Sequence, residues 1–215
     1  MSGIHLALLG MSFGGGIPDI GAAYQGGFFA GQISTAGNGI ADYNLVVAPK
    51  SSGDNASTQW KNVNSDTPGA TSVIDGPQNT ADIVADGNST VYPAAHFCNN
   101  LTIGGFSDWY MPAKNELEVC YFNLKPTTTS NSTASGTNTN AVPSRGSNYT
   151  AGTPAQTAAT DFQTGNTEAF DIANYLSSTE SDAATSNGQG FGIGNQVTEV
   201  KDVVRSVRAV RRVAV

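Results

Sequence analysis

The chain has 215 residues, enough for one well-buried domain, alone or with an appendage. Only 13% of the residues are charged, against about 25% in an average globular protein. This composition predicts a loop-rich, β-rich protein with Ser, Thr, Asn and Gly at its turns. The net charge of −7 argues against nucleic acid as a partner, because phosphate contacts require dense Lys and Arg.

The first 30 residues show neither a helical nor a strand period. Residues 1–30 are therefore predicted to form a Gly-rich arm that takes its shape from its contacts and attaches the protein to a partner. The opening stretch MSGIHLALLGMSFGGG has a short apolar run without a basic n-region, so we expect a protein made without a signal peptide. No stretch approaches the roughly 20 apolar residues of a membrane span.

The domain proper is expected over residues 31–215. Its first predicted strand is DYNLVVAP, from Asp42 to Pro49, and three helices follow at Asn79 to Asp86, Pro93 to Leu101 and Ala113 to Leu124. In the third helix one apolar stripe is predicted to face the core, and a polar face to point away from it. The stripe is Leu117, Cys120, Tyr121 and Leu124, and the polar face is Lys114, Glu118 and Asn123.

The two cysteines, Cys98 and Cys120, are too few for a disulfide scaffold. They could pair with each other or remain two buried thiols. Both fall on apolar helical stripes, which favours core packing over a redox or metal role.

Residues 126–161 are predicted to form a long, polar, surface-exposed insertion, and ordered loops of this kind tend to be functional. Strand patterns return in the C-terminal third. There the run GQGFGIG, Gly188 to Gly194, is followed by strand-like residues, so it does not fit a phosphate-binding loop. Glycines in that run leave a bare face on which a backbone or an aromatic ring can lie.

Five of the ten basic residues fall in the last fifteen positions: Lys201, Arg205, Arg208, Arg211 and Arg212. Such a run is typical of a strand that pairs with carboxylates of its own domain or of a polyanion site, and the first interpretation is favoured. Arg208, Arg211, Asp108 and Glu116 are accordingly predicted to be structural charge partners.

Candidate catalytic groups are few. The two histidines, His5 and His96, are too isolated for a metal site, and Asp108 with Glu116 could form an acid/base pair only in an open cleft. We therefore expect no catalytic residues, no metal and no cofactor, and we regard the protein as not an enzyme.

The stretch AAHFCNNLTIGGFSDWYMPAKNELEVCY resembles a family of phage and bacterial surface domains. Its namesake is the C-terminal domain of the Legionella collagen-like adhesin. YLSSTE (Tyr175 to Glu180) and VRSVRAVRR near the C-terminus are similar to later motifs of the same family, so the resemblance covers about residues 70–215. It implies an α+β, C-type-lectin-like fold, similar also to the formylglycine-generating enzyme, with two or three short helices around a small irregular antiparallel sheet and long loops. The core would then include Trp109, Pro112, Leu117, Tyr121 and Cys98.

The sequence departs from this family at several positions. Ala113 stands where many relatives have Ser or Thr, which predicts a weaker helix cap before Glu116. Leu176 replaces a Trp, and Cys120 replaces a Leu. The copper-binding cysteine pair of the formylglycine enzyme and the calcium ligands of classical lectins are not recognisable, so neither activity is implied.

The resemblance suggests a bacteriophage virion protein of the tail-fibre or receptor-binding type, located on the virion and assembled in the host cytoplasm. Its partners would be other virion subunits, through the arm, and a host-surface glycan or protein. A homo-oligomer, such as a trimer, would be the expected assembly. Contact residues are predicted among exposed polar and aromatic side chains of two loops: Asn148, Tyr149, Asn187, Gln189 and Phe191. A structural decoration or baseplate subunit and a bacterial surface adhesin are the alternatives.

Overall fold

Residues 16–215, as described by a computed structural model, form an α+β domain with four α-helices and ten strands. The strands are β1 Ala23–Tyr24, β2 Gly27–Ile33, β3 Tyr43–Val47, β4 Asp54–Thr58, β5 Ala141–Val142, β6 Asn174–Glu180, β7 Thr185–Gly190, β8 Gln196–Val200, β9 Arg205–Arg208 and β10 Val210–Ala214. The helices are α1 Lys50–Gly53, α2 Gly76–Asp86, α3 Pro93–Asn99 and α4 Lys114–Leu124, and a 3-10 turn covers Thr160–Phe162. The α+β class predicted from the sequence is confirmed.

The strands form two five-stranded sheets. Sheet one has the order β1-β2-β3-β10, with β5 paired to β2, and sheet two has the order β4-β9-β6-β7-β8. Within them the pairings are antiparallel except that β6 and β9 run parallel where Tyr175 faces Ser206. Only Ala209 separates β9 from β10, so one short C-terminal stretch contributes a strand to each sheet.

The predicted end of the arm at residue 30 is wrong, because it falls inside β2. β1 and β2 form a hairpin whose two turn residues, Gln25 and Gly26, have φ angles of 47° and 85°, as a type I′ turn requires. Phe29 and Ala30 are buried, and β2 pairs with β3. The glycines of the turn interrupt the strand period and hide it in the sequence. Residues 1–15 of the predicted arm, including His5, lie outside the described residues.

The three predicted helices are present, and a fourth helix, the short α1, was not predicted. Helix α2 begins at Gly76, three residues earlier than expected, because the Asp75 side chain accepts a hydrogen bond from the Gln78 amide and so caps it. Ala113 has no side-chain hydroxyl to cap α4, but Thr179 on β6 accepts a hydrogen bond from the first helical amide, that of Lys114, at 3.0 Å. This cap therefore depends on β6.

Two apolar clusters form the core, and Trp60 and Trp109 lie in one of them. The five predicted core residues, Trp109, Pro112, Leu117, Tyr121 and Cys98, are all buried. Cys98 lies in the tryptophan cluster and Cys120 in the other, both as free thiols. Burial raises the pKa of both thiols, as expected for packed rather than reactive cysteines.

Candidate functional site

The insertion at residues 126–161 is predicted to be surface-exposed, but the structure shows a folded segment with a buried polar interior. Its only strand is β5, and the 3-10 turn lies at its end. Three buried polar side chains organise it: Glu118 from α4, Lys125 from the end of that helix and Asn131 from the insertion. Their hydrogen bonds replace the apolar packing that this sequence cannot supply.

Asn131 is bonded at both ends of its amide. Its Oδ1 accepts a hydrogen bond from the Tyr121 hydroxyl at 2.6 Å, and its Nδ2 donates to the Thr150 carbonyl at 3.1 Å and to the Pro154 carbonyl at 2.8 Å. The Lys125 ammonium group donates to the same Pro154 carbonyl at 3.1 Å. Two side chains therefore hold together a loop whose regular strand pairing is limited to β5.

Glu118 is the residue that the sequence analysis placed most wrongly. It was predicted to face away from the core, yet it is fully buried beneath the insertion. Its carboxylate accepts hydrogen bonds from the Tyr149 hydroxyl at 2.5 Å, from Asn138 Nδ2 at 2.5 Å and from the Arg145 guanidinium group. Burial raises the pKa of the Glu118 carboxyl, while Arg145 and the hydrogen bonds oppose that shift.

Above this network lies a groove of about 360 Å³, which we call the insertion groove. Its floor is the Arg145 guanidinium group, 4.0 Å from the centre of the Phe122 ring, together with the edge of Tyr149. The Tyr149 ring lies against Gly136, whose φ of 117° and whose closeness to the ring both exclude a side chain. The rim is formed by exposed residues: Ser144, Gly146, Ser147, Asn148, Thr150 and Thr153.

The structure divides the predicted contact residues. Asn148 is exposed at the rim of the insertion groove. Tyr149 does line the groove, but it is only 5% exposed and its hydroxyl is already bonded to Glu118, so it is part of the floor rather than an exposed contact. Asn187 is half-buried and donates to the Thr179 carbonyl at 3.3 Å.

Gln189 and Phe191 were predicted to be exposed contacts, and this is wrong because both are buried. Phe191 stacks on Phe170 with ring centres 3.9 Å apart and also packs against Tyr121. Both side chains lie in the interior, so they are not brought together with the exposed Asn148.

The predicted charge partners are bound within the domain. Asp108 accepts two hydrogen bonds from Arg211, at 2.7 and 2.8 Å, and these bonds hold the pKa of its carboxyl below the ordinary value. Arg208 pairs with Glu168 at 2.7 Å. Glu116 is fully buried and accepts from Arg212 Nε at 2.7 Å. The arginines of the basic C-terminal run thus pair with carboxylates of their own domain.

A second concavity, of about 280 Å³, lies beside Asp108 and Trp109. It offers fewer side chains available to a ligand than the insertion groove does. The Asp108 carboxylate is already paired with Arg211, and Trp109 is only 2% exposed. Across residues 16–215, His, Cys, Asp and Glu side chains do not gather in threes that could hold a metal ion. None of the helices in that range combines the length and apolar character needed to cross a membrane.

Sequence reasoning missed Glu118, Arg145, Phe122 and Asn131, which build the insertion groove and its support. One signal was present: Arg145 is the only basic residue between positions 126 and 161. A lone arginine in a polar loop indicates a carboxylate partner, since an unpaired guanidinium group is costly to bury. In the structure that partner is Glu118, on α4.

No protein family matches the sequence, and no curated protein matches it. Among solved structures, the domain is similar to a fimbrial protein from Bacteroides ovatus ATCC 8483, with 16% sequence identity and a TM-score of 0.45. The match covers 78% of this chain and 35% of the fimbrial protein, so the chain spans about a third of that protein's length.

Proposed function

We propose that this chain is a bacteriophage virion protein of the tail-fibre or receptor-binding type, with a C-type-lectin-like domain that recognises a host-surface glycan or protein through the insertion groove. One observation carries the proposal. The floor of the groove is fixed by the buried Glu118 network, whereas the hydroxyl and amide groups of the rim are exposed. A rigid floor lowers the entropic cost of binding, and an adaptable polar rim suits a hydroxyl-rich or peptide surface.

The lectin-like assignment is supported by the arrangement of short helices around two small sheets with long connecting loops. It is also supported by the resemblance that the segment around Trp109 carries. A binding role is favoured over catalysis because the two best acid/base candidates, Asp108 and Glu116, are each bound by an arginine. We propose that residues preceding Gly16 attach the protein to other virion subunits, and that it acts as a homo-oligomer, for which a trimer is one form.

The first experiment is immunogold labelling of purified phage particles with an antibody against residues 70–215. Label at tail or fibre tips supports host recognition. Label spread over the capsid or baseplate would make the chain a structural subunit instead. Particles without label would contradict both virion roles and favour a bacterial surface adhesin.

The groove itself is tested with the full-length protein as a competitor of phage adsorption to host cells. Asn148→Ala together with Thr150→Ala removes two rim side chains and should weaken competition. Thr198→Ala, at an exposed position on β8, is the matched control and should compete as the unmodified protein does. Equal competition by all three proteins would exclude the insertion groove as the contact site.

A further inference from the structure

None of the basic side chains of this protein is fully exposed. The ten lysines and arginines of the chain lie within the described residues, and each is buried or half-buried: Lys50, Lys61, Lys114, Lys125, Arg145, Lys201, Arg205, Arg208, Arg211 and Arg212. Eight aspartates, by contrast, are exposed: Asp19, Asp66, Asp86, Asp108, Asp161, Asp171, Asp182 and Asp202. Lys and Arg are normally among the most exposed residue types, so this distribution is unusual.

Nine of the ten cations have side-chain partners that hold them in place. The tenth, Lys114, is half-buried at the start of α4, where its backbone amide donates to Thr179 Oγ1. Eight of the ten are in ion pairs with carboxylates of the same chain. Lys201, for example, is fully buried, pairs with Glu180 and donates to the Ser65 carbonyl at 2.8 Å. Lys125 instead binds two loop carbonyls, of Thr129 at 2.6 Å and of Pro154 at 3.1 Å. Withdrawing such a side chain from these partners requires the local structure to open.

We infer that the folded protein resists proteases of the trypsin class along its whole length. These enzymes must seat a Lys or Arg side chain in an acidic specificity pocket before they cut the following peptide bond. Residues 1–15 contain neither Lys nor Arg, so they offer no such site whatever their conformation. The inference does not depend on the proposed function.

Arg145 is the strictest test of this resistance, because it lies in a long loop, where cleavage by proteases usually begins. Its backbone amide donates to the Asn138 carbonyl at 2.9 Å, and its carbonyl accepts from the Asn138 amide at 2.8 Å. Its side chain is held between Glu118 and the Phe122 ring. Ser147, two residues later, is exposed. The two positions therefore differ in access while they share one loop.

The test is limited digestion of the folded full-length protein with trypsin, followed by intact-mass spectrometry. The 22.1 kDa chain should persist. In the S147K variant, cleavage after position 147 should be at least about tenfold faster than any cut in the unmodified protein, because only the latter must await opening. S147Q controls for the loss of the serine. I40K places the same test at an exposed position in another loop, in case S147K perturbs folding.

Thermolysin, which cuts beside apolar residues, serves as a control for access to the chain, since Ile17 and Ile40 are 66% and 68% exposed. It should cut the unmodified protein under conditions in which trypsin does not. Trypsin cleavage of the unmodified protein at the S147K rate would overturn the inference. The inference would also be overturned if S147K and I40K were as resistant to trypsin as the unmodified protein. Protection would then come from backbone rigidity rather than from the burial of basic side chains.

Discussion

Sheet one and the insertion, which contributes only the short strand β5 to that sheet, pack on different faces of the same helix, α4, and they are held there by different forces. The sheet presents apolar side chains such as Ile33, Leu45 and Val47, together with regular strand pairing. The insertion presents Asn131 and Tyr149, which bond to polar groups on or beside the helix. A helix can therefore be buried on two sides even when only one side is apolar.

The difference shows how a chain with few apolar residues can still order a long loop. Asn131 and Asn138 each bond to several partners, and in a low-dielectric interior such bonds are strong only when all of them are made. This makes the insertion specific but vulnerable, because the loss of one partner leaves others unsatisfied. The sheet, by comparison, loses stability in proportion to the apolar surface removed.

Trp109→Ala is expected to have the largest effect. Trp109 is buried in the tryptophan cluster, so the substitution should lower the free energy of unfolding by about 3–5 kcal/mol. Urea denaturation followed by circular dichroism measures the change, with Trp109→Phe as a milder control. Because this core supports the whole domain, hydrogen exchange should rise in both regions. An unchanged denaturation midpoint would show that the aromatic segment is not the structural centre of the fold.

Glu118→Gln tests the insertion selectively. The variant keeps the size of the side chain but leaves the Arg145 guanidinium group without a carboxylate, which should cost about 3 kcal/mol. Hydrogen exchange should accelerate in residues 131–150 more than in β2 and β3. A uniform acceleration over both regions would mean that the insertion and the sheet unfold as one unit and are not stabilised separately.

Asn131→Ala should have a smaller effect on the same region. It leaves the Tyr121 hydroxyl and the loop carbonyls without their amide partner, at a cost of about 1–3 kcal/mol. Tyr121→Phe removes only one of these bonds and should cost less. Chemical denaturation of both variants gives the order, and a larger loss for Tyr121→Phe would show that Asn131 is not the organising side chain.

Asp108→Asn should have the smallest effect, and its size should depend on pH. Because Arg211 holds the pKa of Asp108 below its ordinary value of 3.8, the ion pair stabilises the folded state above that value. The stabilisation is lost as the pH falls through the lowered pKa. Near pH 7 the variant should be less stable by under about 1 kcal/mol, since the aspartate is largely exposed. Below the lowered pKa, the two proteins should unfold at the same denaturant concentration.

The sequence predicted the helices better than the loops, for a physical reason. Helical periodicity and the proline at position 93 report local preferences, so α3 and α4 were found with nearly correct bounds. The β1–β2 hairpin was missed because Gln25 and Gly26 form a turn whose glycine interrupts the strand pattern. The α+β class thus follows from local signals, whereas the exact ends of the strands depend on pairing between distant residues.

The site was less predictable than the fold. Asn148 was found because exposed loop asparagines follow from composition, but Glu118 was assigned to solvent by helical periodicity alone. Its burial depends on Arg145 and Tyr149, which are 27 and 31 residues away in sequence. Conversely, Phe191 was expected among the exposed contacts of the last loop, yet its ring packs in the core against Phe170 and Tyr121. Nearby Gly194 leaves room for the Tyr121 ring.

The single residue between β9 and β10 has a consequence for how the protein is made. β9 lies between β4 and β6 in sheet two, and β10 completes sheet one beside β3. During translation, neither sheet is complete until residues 205–214 have left the ribosome. A product released before that point would lack a strand in both sheets and would be a substrate for cellular quality control rather than a partly working protein.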